Sequence, residues 1–135
     1  MLPLARRILF VEDNIDTRDF VVSILTDYEV VTAGTVAEAL TLAQRGRFDL
    51  YLLDNWLPDG TGVDLTRQLR ALTLRAPILF YSAVVSDVAQ AEARAAGAQG
   101  YVNKPCPLEE LEQAIAQLLP DVPAAPGTSA NLSPT

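Results

Sequence analysis

Short apolar, β-favouring runs alternate along the chain with longer segments whose apolar positions recur at helical spacing. The first run is Arg6 to Glu12 (RRILFVE), and it is followed by Ile15 to Asp27, a segment of helical period with apolar Phe20, Val21, Ile24 and Leu25. Tyr28 to Ala33 (YEVVTA) predicts a second strand, and Gly34-Thr35 then supplies the turn and cap for a helix over Thr35 to Arg45. Phe48 to Asp54 (FDLYLLD) predicts a third strand, followed by a Pro- and Gly-rich loop and a helix from about Gly62 to Leu72. A fourth strand spans Ala76 to Ala83 (APILFYSA), with Pro77 at its start because proline cannot donate to an interior ladder. An Ala-rich helix over Ser86 to Ala96, a short strand over Gln99 to Asn103 and a closing helix over Leu108 to Leu119 complete the series. In that last helix Leu108, Leu111, Ile115 and Leu118 share a face.

ILFV, LYLL and ILFY are apolar throughout rather than alternating, as strands are when helices cover both faces of a parallel sheet. The pattern therefore predicts a doubly wound α/β domain with a five-stranded parallel sheet and five flanking helices. Residues 1–119 form that one domain. From Pro120 onward, DVPAAPGTSANLSPT has no period and is rich in Pro, Ala, Ser and Thr, which predicts a disordered tail or the stub of a linker over 120–135.

Composition narrows the function. Half of the 135 residues are apolar, enough for one two-sided core, and the formal net charge is −7. No basic surface is available to neutralise nucleic-acid phosphates or to hold an anionic membrane, so direct nucleic-acid and membrane binding are not expected. No apolar stretch approaches the roughly 20 residues that span a bilayer, and a cytoplasmic location is expected. Cys106 is the single cysteine, which removes internal disulfides and thiolate metal cages; the absence of histidine removes Ser-His-Asp units and imidazole zinc sites. Chemistry is left to carboxylates, lysine, hydroxyls and backbone.

In open parallel sheets, ligands bind beyond the carboxyl ends of the strands. There the first strand ends in Glu12-Asp13-Asn14, the third in Asp54-Asn55-Trp56 and the fourth in Ser82-Ala83, while the fifth runs into Asn103-Lys104-Pro105. Three acids, a hydroxyl and a lysine converge. Carboxylates this close repel one another unless a cation sits among them, and magnesium, with its all-oxygen octahedron, suits the available donors best. An acid such as Asp54, ending a run as apolar as LYLL, is a candidate nucleophile toward phosphorus, with magnesium, Lys104 and the Ser82 hydroxyl stabilising charge on the equatorial oxygens. Taken singly these residues have plainer readings: Glu12-Asp13 as the acidic start of a helix, Ser82 as a turn residue, Lys104 as solvated surface, Tyr101 as partial core. Asp59 and Asp64 read as solvated, in a turn and in a helix's first turn.

The ordered strings ILFVEDN, LLDNWLPDGTG, ILFYSA and GAQGYVNKP resemble the receiver domain of two-component response regulators over about residues 6 to 119. The resemblance implies a flavodoxin-like strand order 2-1-3-4-5. It also implies that Asp54 accepts a phosphoryl group, and that Asp13 ligates magnesium directly while Glu12 acts through water. The Trp56 backbone carbonyl completes the protein's magnesium ligands, together with Asp54. Ser82 bonds the phosphoryl oxygen, Lys104 pairs with it, and Tyr101, three residues before Lys104, is the aromatic switch. The implied donor is a histidine kinase or histidine phosphotransfer protein, since this chain has no histidine of its own. With no output domain visible in the sequence, action is expected through an unidentified downstream protein or a relay; a second copy of the chain is left open as a partner. Such a domain promotes its own phosphorylation and dephosphorylation but does not turn over a free substrate.

The match has departures. Trp56 is a bulky occupant two residues after the acceptor, Leu57 stands where Met is frequent, and Val84-Val85 make the loop after Ser82 apolar. Trp56 and that loop predict an altered lifetime of the phosphoryl group. Two competing functions remain: an unphosphorylated receiver-like docking or dimerisation module, and an aspartate-nucleophile phosphatase resembling the haloacid dehalogenase family. The latter requires a second Asp two residues after the first, where Trp56 stands.

Overall fold

The structure, a computed structural model, describes residues 5–84 and 86–119. The expected tail over 120–135 and Val85 of the apolar loop lie outside the described residues. The apolar runs form β1 (Arg6–Val11), β2 (Tyr28–Ala33), β3 (Leu50–Leu53), β6 (Ile78–Ser82) and β7 (Gly100–Asn103). They make one parallel sheet in the order β2-β1-β3-β6-β7, which is the expected 2-1-3-4-5 arrangement once two short strands are counted between the third and fourth. Those two, β4 (Trp56–Leu57) and β5 (Gly60–Thr61), pair antiparallel as a small hairpin inside the segment expected to be irregular loop.

Among the described residues four helices connect the strands, α1 (Ile15–Ile24), α2 (Val36–Arg45), α3 (Gly62–Ala71) and α4 (Asp87–Ala96), and a fifth, α5 (Leu108–Leu118), follows β7. Asn14, Thr35, Thr61 and Ser86 each accept the amide hydrogen bond that starts one of the first four, satisfying a donor a helix otherwise leaves open. α4 stops at Gly97, whose φ of 123° falls where side chains are strained.

Successive strand residues point to opposite faces, so each strand feeds two cores. Leu9, Val11, Tyr51, Leu53, Ile78 and Phe80 pack with residues of α2, α3 and α4. Ile8, Phe10, Leu50, Leu52, Leu79 and Tyr81 pack against Val21 and Leu25 on the α1 side and Leu111 and Ile115 of α5. The expected helix to Asp27 ends earlier, at Ile24, and of its apolar positions Phe20 is 52% exposed. Val21 and Leu25, one turn apart, take the sheet-facing positions, and Phe20 sits about 100° round the helix from Val21. Among the described residues no helix is long and apolar enough to cross a membrane.

Candidate functional site at the carboxyl ends of the strands

Parallel strands deliver their last residues to one edge, and β1, β3 and β7 bring Glu12, Asp13, Asp54 and Lys104 together there. One carboxylate oxygen each from Glu12, Asp13 and Asp54 lie within 4.8 Å of one another. Glu12 and Asp54 are buried, at 2% and 8% exposure, and Asp13 faces outward. Lys104 enters from the β7 side, its Nζ 2.9 Å from Glu12 Oε1 and 3.6 Å from Asp54 Oδ2. It also lies over the Tyr81 ring, 5.3 Å from the centroid. The Lys104–Pro105 peptide is cis, and the Lys104 N–H donates to the Ser82 carbonyl at 2.8 Å.

The charge balance is uneven: three carboxylates face one ammonium. Burial raises the pKa of Glu12 and the neighbouring Asp54 charge adds to this, against the opposing hydrogen bond from Lys104. Burial alone would lower Lys104, but the Glu12 hydrogen bond and the Asp54 and Glu12 charges outweigh it, and its pKa is raised. Asp54 Oδ1 accepts from the Asn55 N–H at 2.7 Å. Asn55 Oδ1 and Asn103 Oδ1, beside Asp54 and Lys104 in the chain, are buried without a hydrogen-bond partner among the described residues. Buried oxygens in that state, next to carboxylates of like sign, suit an edge that receives a hard cation or a polar group.

Ser82 and Tyr101 bear on a neighbouring feature, the loop after β6. Ser82 is fully buried and its hydroxyl accepts from the Val84 N–H at 3.2 Å. The Tyr101 hydroxyl donates to the Val84 carbonyl at 2.8 Å, and its ring stacks on Phe80 with centroids 5.5 Å apart. Phe80 in turn closes on Gly62, where a Cβ would stand 2.8 Å from the Phe80 ring and 2.5 Å from the Asp54 carbonyl oxygen. Only glycine fits there, so the α3 start abuts the acidic edge.

Trp56 projects from the β4–β5 hairpin and is 62% exposed; Ile15 and Phe20 on α1 are exposed too. Asp64 behaves as expected, pairing at 3.6 Å with Arg67 on the helix surface. Asp59 is exposed in a turn, also as expected, but it has a further role: its carboxylate accepts from the N–H groups of Val36 and Ala37 at 2.7 and 3.0 Å, capping α2 from across the loop. Those bonds, the one from Val36 first, lower its pKa. The contact spans 22 to 23 positions in the chain, and only a D-G turn marks it in the sequence.

Comparison with known proteins agrees with this geometry. Residues 8–116 match the family model of the response regulator receiver domain. The sensor histidine kinase AruS of Pseudomonas aeruginosa is 34% identical over 126 residues, covering 89% of this chain and 13% of that protein. The transcriptional regulatory protein CiaR of Streptococcus pneumoniae is 34% identical over 114 residues, covering 84% of this chain and 51% of that protein. The chain thus spans about half, or far less, of these relatives' lengths. Among solved structures, the Vibrio cholerae chemotaxis protein CheY4 superposes with a TM-score of 0.80 at 34% identity, covering 84% of this chain and 98% of that one. With a parallel sheet in flavodoxin-like order, an acidic edge and a lysine on it, this chain belongs to the response regulator receiver domain family, the phosphorylation-dependent signalling switch of two-component systems.

Proposed function

We propose that Asp54 is the phosphoacceptor of this switch. The observation that carries the reading is the placement of Asp54 at a strand end, 3.6 Å from Lys104 and within 4.8 Å of two further carboxylates. An Asp54 oxygen attacks the phosphorus of a partner's phosphohistidine, the N–P bond breaks, and the electron pair returns to the imidazole, which takes up a proton. The product is an aspartyl phosphate. Lys104, already drawn toward Asp54, then has a phosphoryl oxygen as a second anionic partner and shifts from Glu12 to it.

The oxygen-only donor set fits a hard divalent cation. Glu12, Asp13, Asp54 and the Trp56 backbone carbonyl would hold magnesium, which when bound neutralises charge among the carboxylates and on the phosphoryl oxygens. Ser82 and Tyr101 form the readout. A Ser82 hydroxyl drawn to the phosphoryl group gives up its bond from the Val84 N–H, and the loop that Tyr101 also holds then rearranges. The exposed Ile15, Phe20 and Trp56 border the acceptor edge and supply apolar area for the donor, a histidine kinase or phosphotransfer protein of the cytoplasm. The domain itself promotes gain and loss of the phosphoryl group.

Incubation with magnesium and acetyl phosphate, followed by intact-mass measurement, tests the assignment. Wild type is expected to gain one phosphoryl adduct and Asp54→Asn none. An unmodified wild type would return the chain to the docking reading, whereas equal labelling of the variant would move the acceptor elsewhere.

A further inference from the structure

The loop that carries Trp56 is fixed at both ends. At its base the Gly62 N–H donates to the Asn55 carbonyl at 2.8 Å, and the absence of a side chain on Gly62 lets it lie against Asp54. At its tip Asp59 reaches α2, with Oδ1 accepting from the Val36 N–H at 2.7 Å and Oδ2 from the Ala37 N–H at 3.0 Å. A helix leaves its first amides without intrahelical acceptors. The residue just before α2 already serves one of them, the Thr35 hydroxyl accepting from the Glu38 N–H at 3.0 Å. Asp59 takes two more from a distance, and in doing so presses the hairpin tip onto α2: a Cβ on Gly60 would stand 3.3 Å from Val36 Cγ2.

Between Asp59 and Trp56 lie only Leu57, packed in the core, and Pro58, whose ring restricts the turn. The direction of β4 is therefore set by its pairing with β5, the Leu57 side chain and the Asp59 carboxylate together. We propose that Asp59 is a positioning residue for the phosphoacceptor site: by docking the hairpin tip onto α2 it holds the Trp56 backbone and indole in place beside Asp54. The inference rests on the proposed function, because it gives the Trp56 carbonyl its significance. Asp59 touches neither phosphoryl group nor metal; it acts through the hairpin.

Trp56 is the single tryptophan of the chain, so its fluorescence reports on the hairpin directly. The test compares wild type, Asp59→Ala, Asp59→Asn and Thr35→Ala, the last removing a cap from the same helix without touching the hairpin. Three quantities are read: acrylamide quenching of Trp56, magnesium affinity from the fluorescence titration, and the rate of labelling by acetyl phosphate. Asp59→Ala is expected to increase quenching and to weaken magnesium binding about tenfold, the scale seen when a partner that orients a metal ligand is lost. Labelling slows with it at subsaturating magnesium. Asp59→Asn, which keeps one acceptor oxygen, falls between, and Thr35→Ala lowers the melting temperature while leaving all three quantities at wild-type values. Wild-type affinity and labelling in Asp59→Ala would overturn the positioning role and leave Asp59 as a helix cap, as would equal loss in Thr35→Ala. A wild type that neither binds magnesium nor labels would instead overturn the reading of the site, and this inference with it.

Discussion

Lys104 and Arg70 stand at opposite ends of the same sheet, and their surroundings differ in kind. Arg70, from α3, points to the edge where β6 and β7 begin. Its guanidinium makes five hydrogen bonds: to the carbonyls of Leu74 and Ala76, twice to that of Gly97, and to the Gln99 side chain, at 2.8 to 3.2 Å. Every acceptor is neutral and three of the four acceptor groups are backbone, so the planar fork ties three chain segments together. Lys104, at the other edge, faces carboxylates that outnumber it, next to buried amide oxygens without partners among the described residues. The first arrangement is complete and holds the fold. The second has excess negative charge confined by burial, the imbalance that the proposed cation and phosphoryl group would change.

Removing each cation separates the two roles. Lys104→Ala is expected to slow labelling of Asp54 by acetyl phosphate about a hundredfold, the scale of losing one preorganised donor to developing negative charge. Without metal the variant also unfolds more readily, because Glu12 and Asp54 lose their shared counter-charge, and magnesium restores much of that stability. Wild-type labelling in this variant would erase the contrast. Arg70→Met keeps the stem and removes the fork, leaving the Leu74 and Ala76 carbonyls to find water and the Gly97 carbonyl with only its bond from the Gln99 side chain. A loss of about 2 to 3 kcal/mol in urea denaturation is expected, from a few unmade bonds in a half-buried place. Folded Arg70→Met should label at the wild-type rate. Slowed labelling in protein shown to be folded would mean that the amino-terminal edge is coupled to the site.

The sheet was legible in the sequence because ILFV, LYLL and ILFY have no polar face, and only a sheet covered on both sides tolerates that. The acidic edge was legible for a related reason: once the strands are parallel, Glu12, Asp13, Asp54 and Lys104 must arrive together. What escaped was set by contacts rather than by period. Phe20 and Val21 are adjacent and both apolar, so the pattern of α1 admits either residue toward the sheet, and packing chose Val21. Strands of two residues, as in β4 and β5, are too short to show alternation. The role of Asp59 depends on α2 amides more than 20 positions away, and that of Arg70 on carbonyls that any residue supplies.

The same contrast between satisfied and crowded charge appears, on a smaller scale, in two carboxylates whose pKa values shift in opposite directions. Asp59 is lowered by the Val36 and Ala37 amides, so relative to an unfolded value of about 3.9 the folded chain binds fewer protons. Its contribution to stability is present above that unfolded value and is lost as pH falls through the lowered folded pKa. Glu12 is raised, chiefly by burial, so the folded chain binds more protons there. Its contribution is present below the unfolded value of about 4.3 and is lost as pH rises through the raised folded pKa. Denaturation curves in metal-free buffer are therefore expected to give a shallower acid-side loss for Asp59→Asn than for wild type. Glu12→Gln should show a smaller decline than wild type on the other side, as pH rises above the unfolded value. Unchanged acid-side slopes in Asp59→Asn would mean that its bonds to α2 do not favour the ionised carboxylate in solution. The hairpin tip would then be held by the β4–β5 pairing and the packing of Leu57 and Gly60, a result that removes the charge from the tether while leaving the crowded edge at Asp54 untouched.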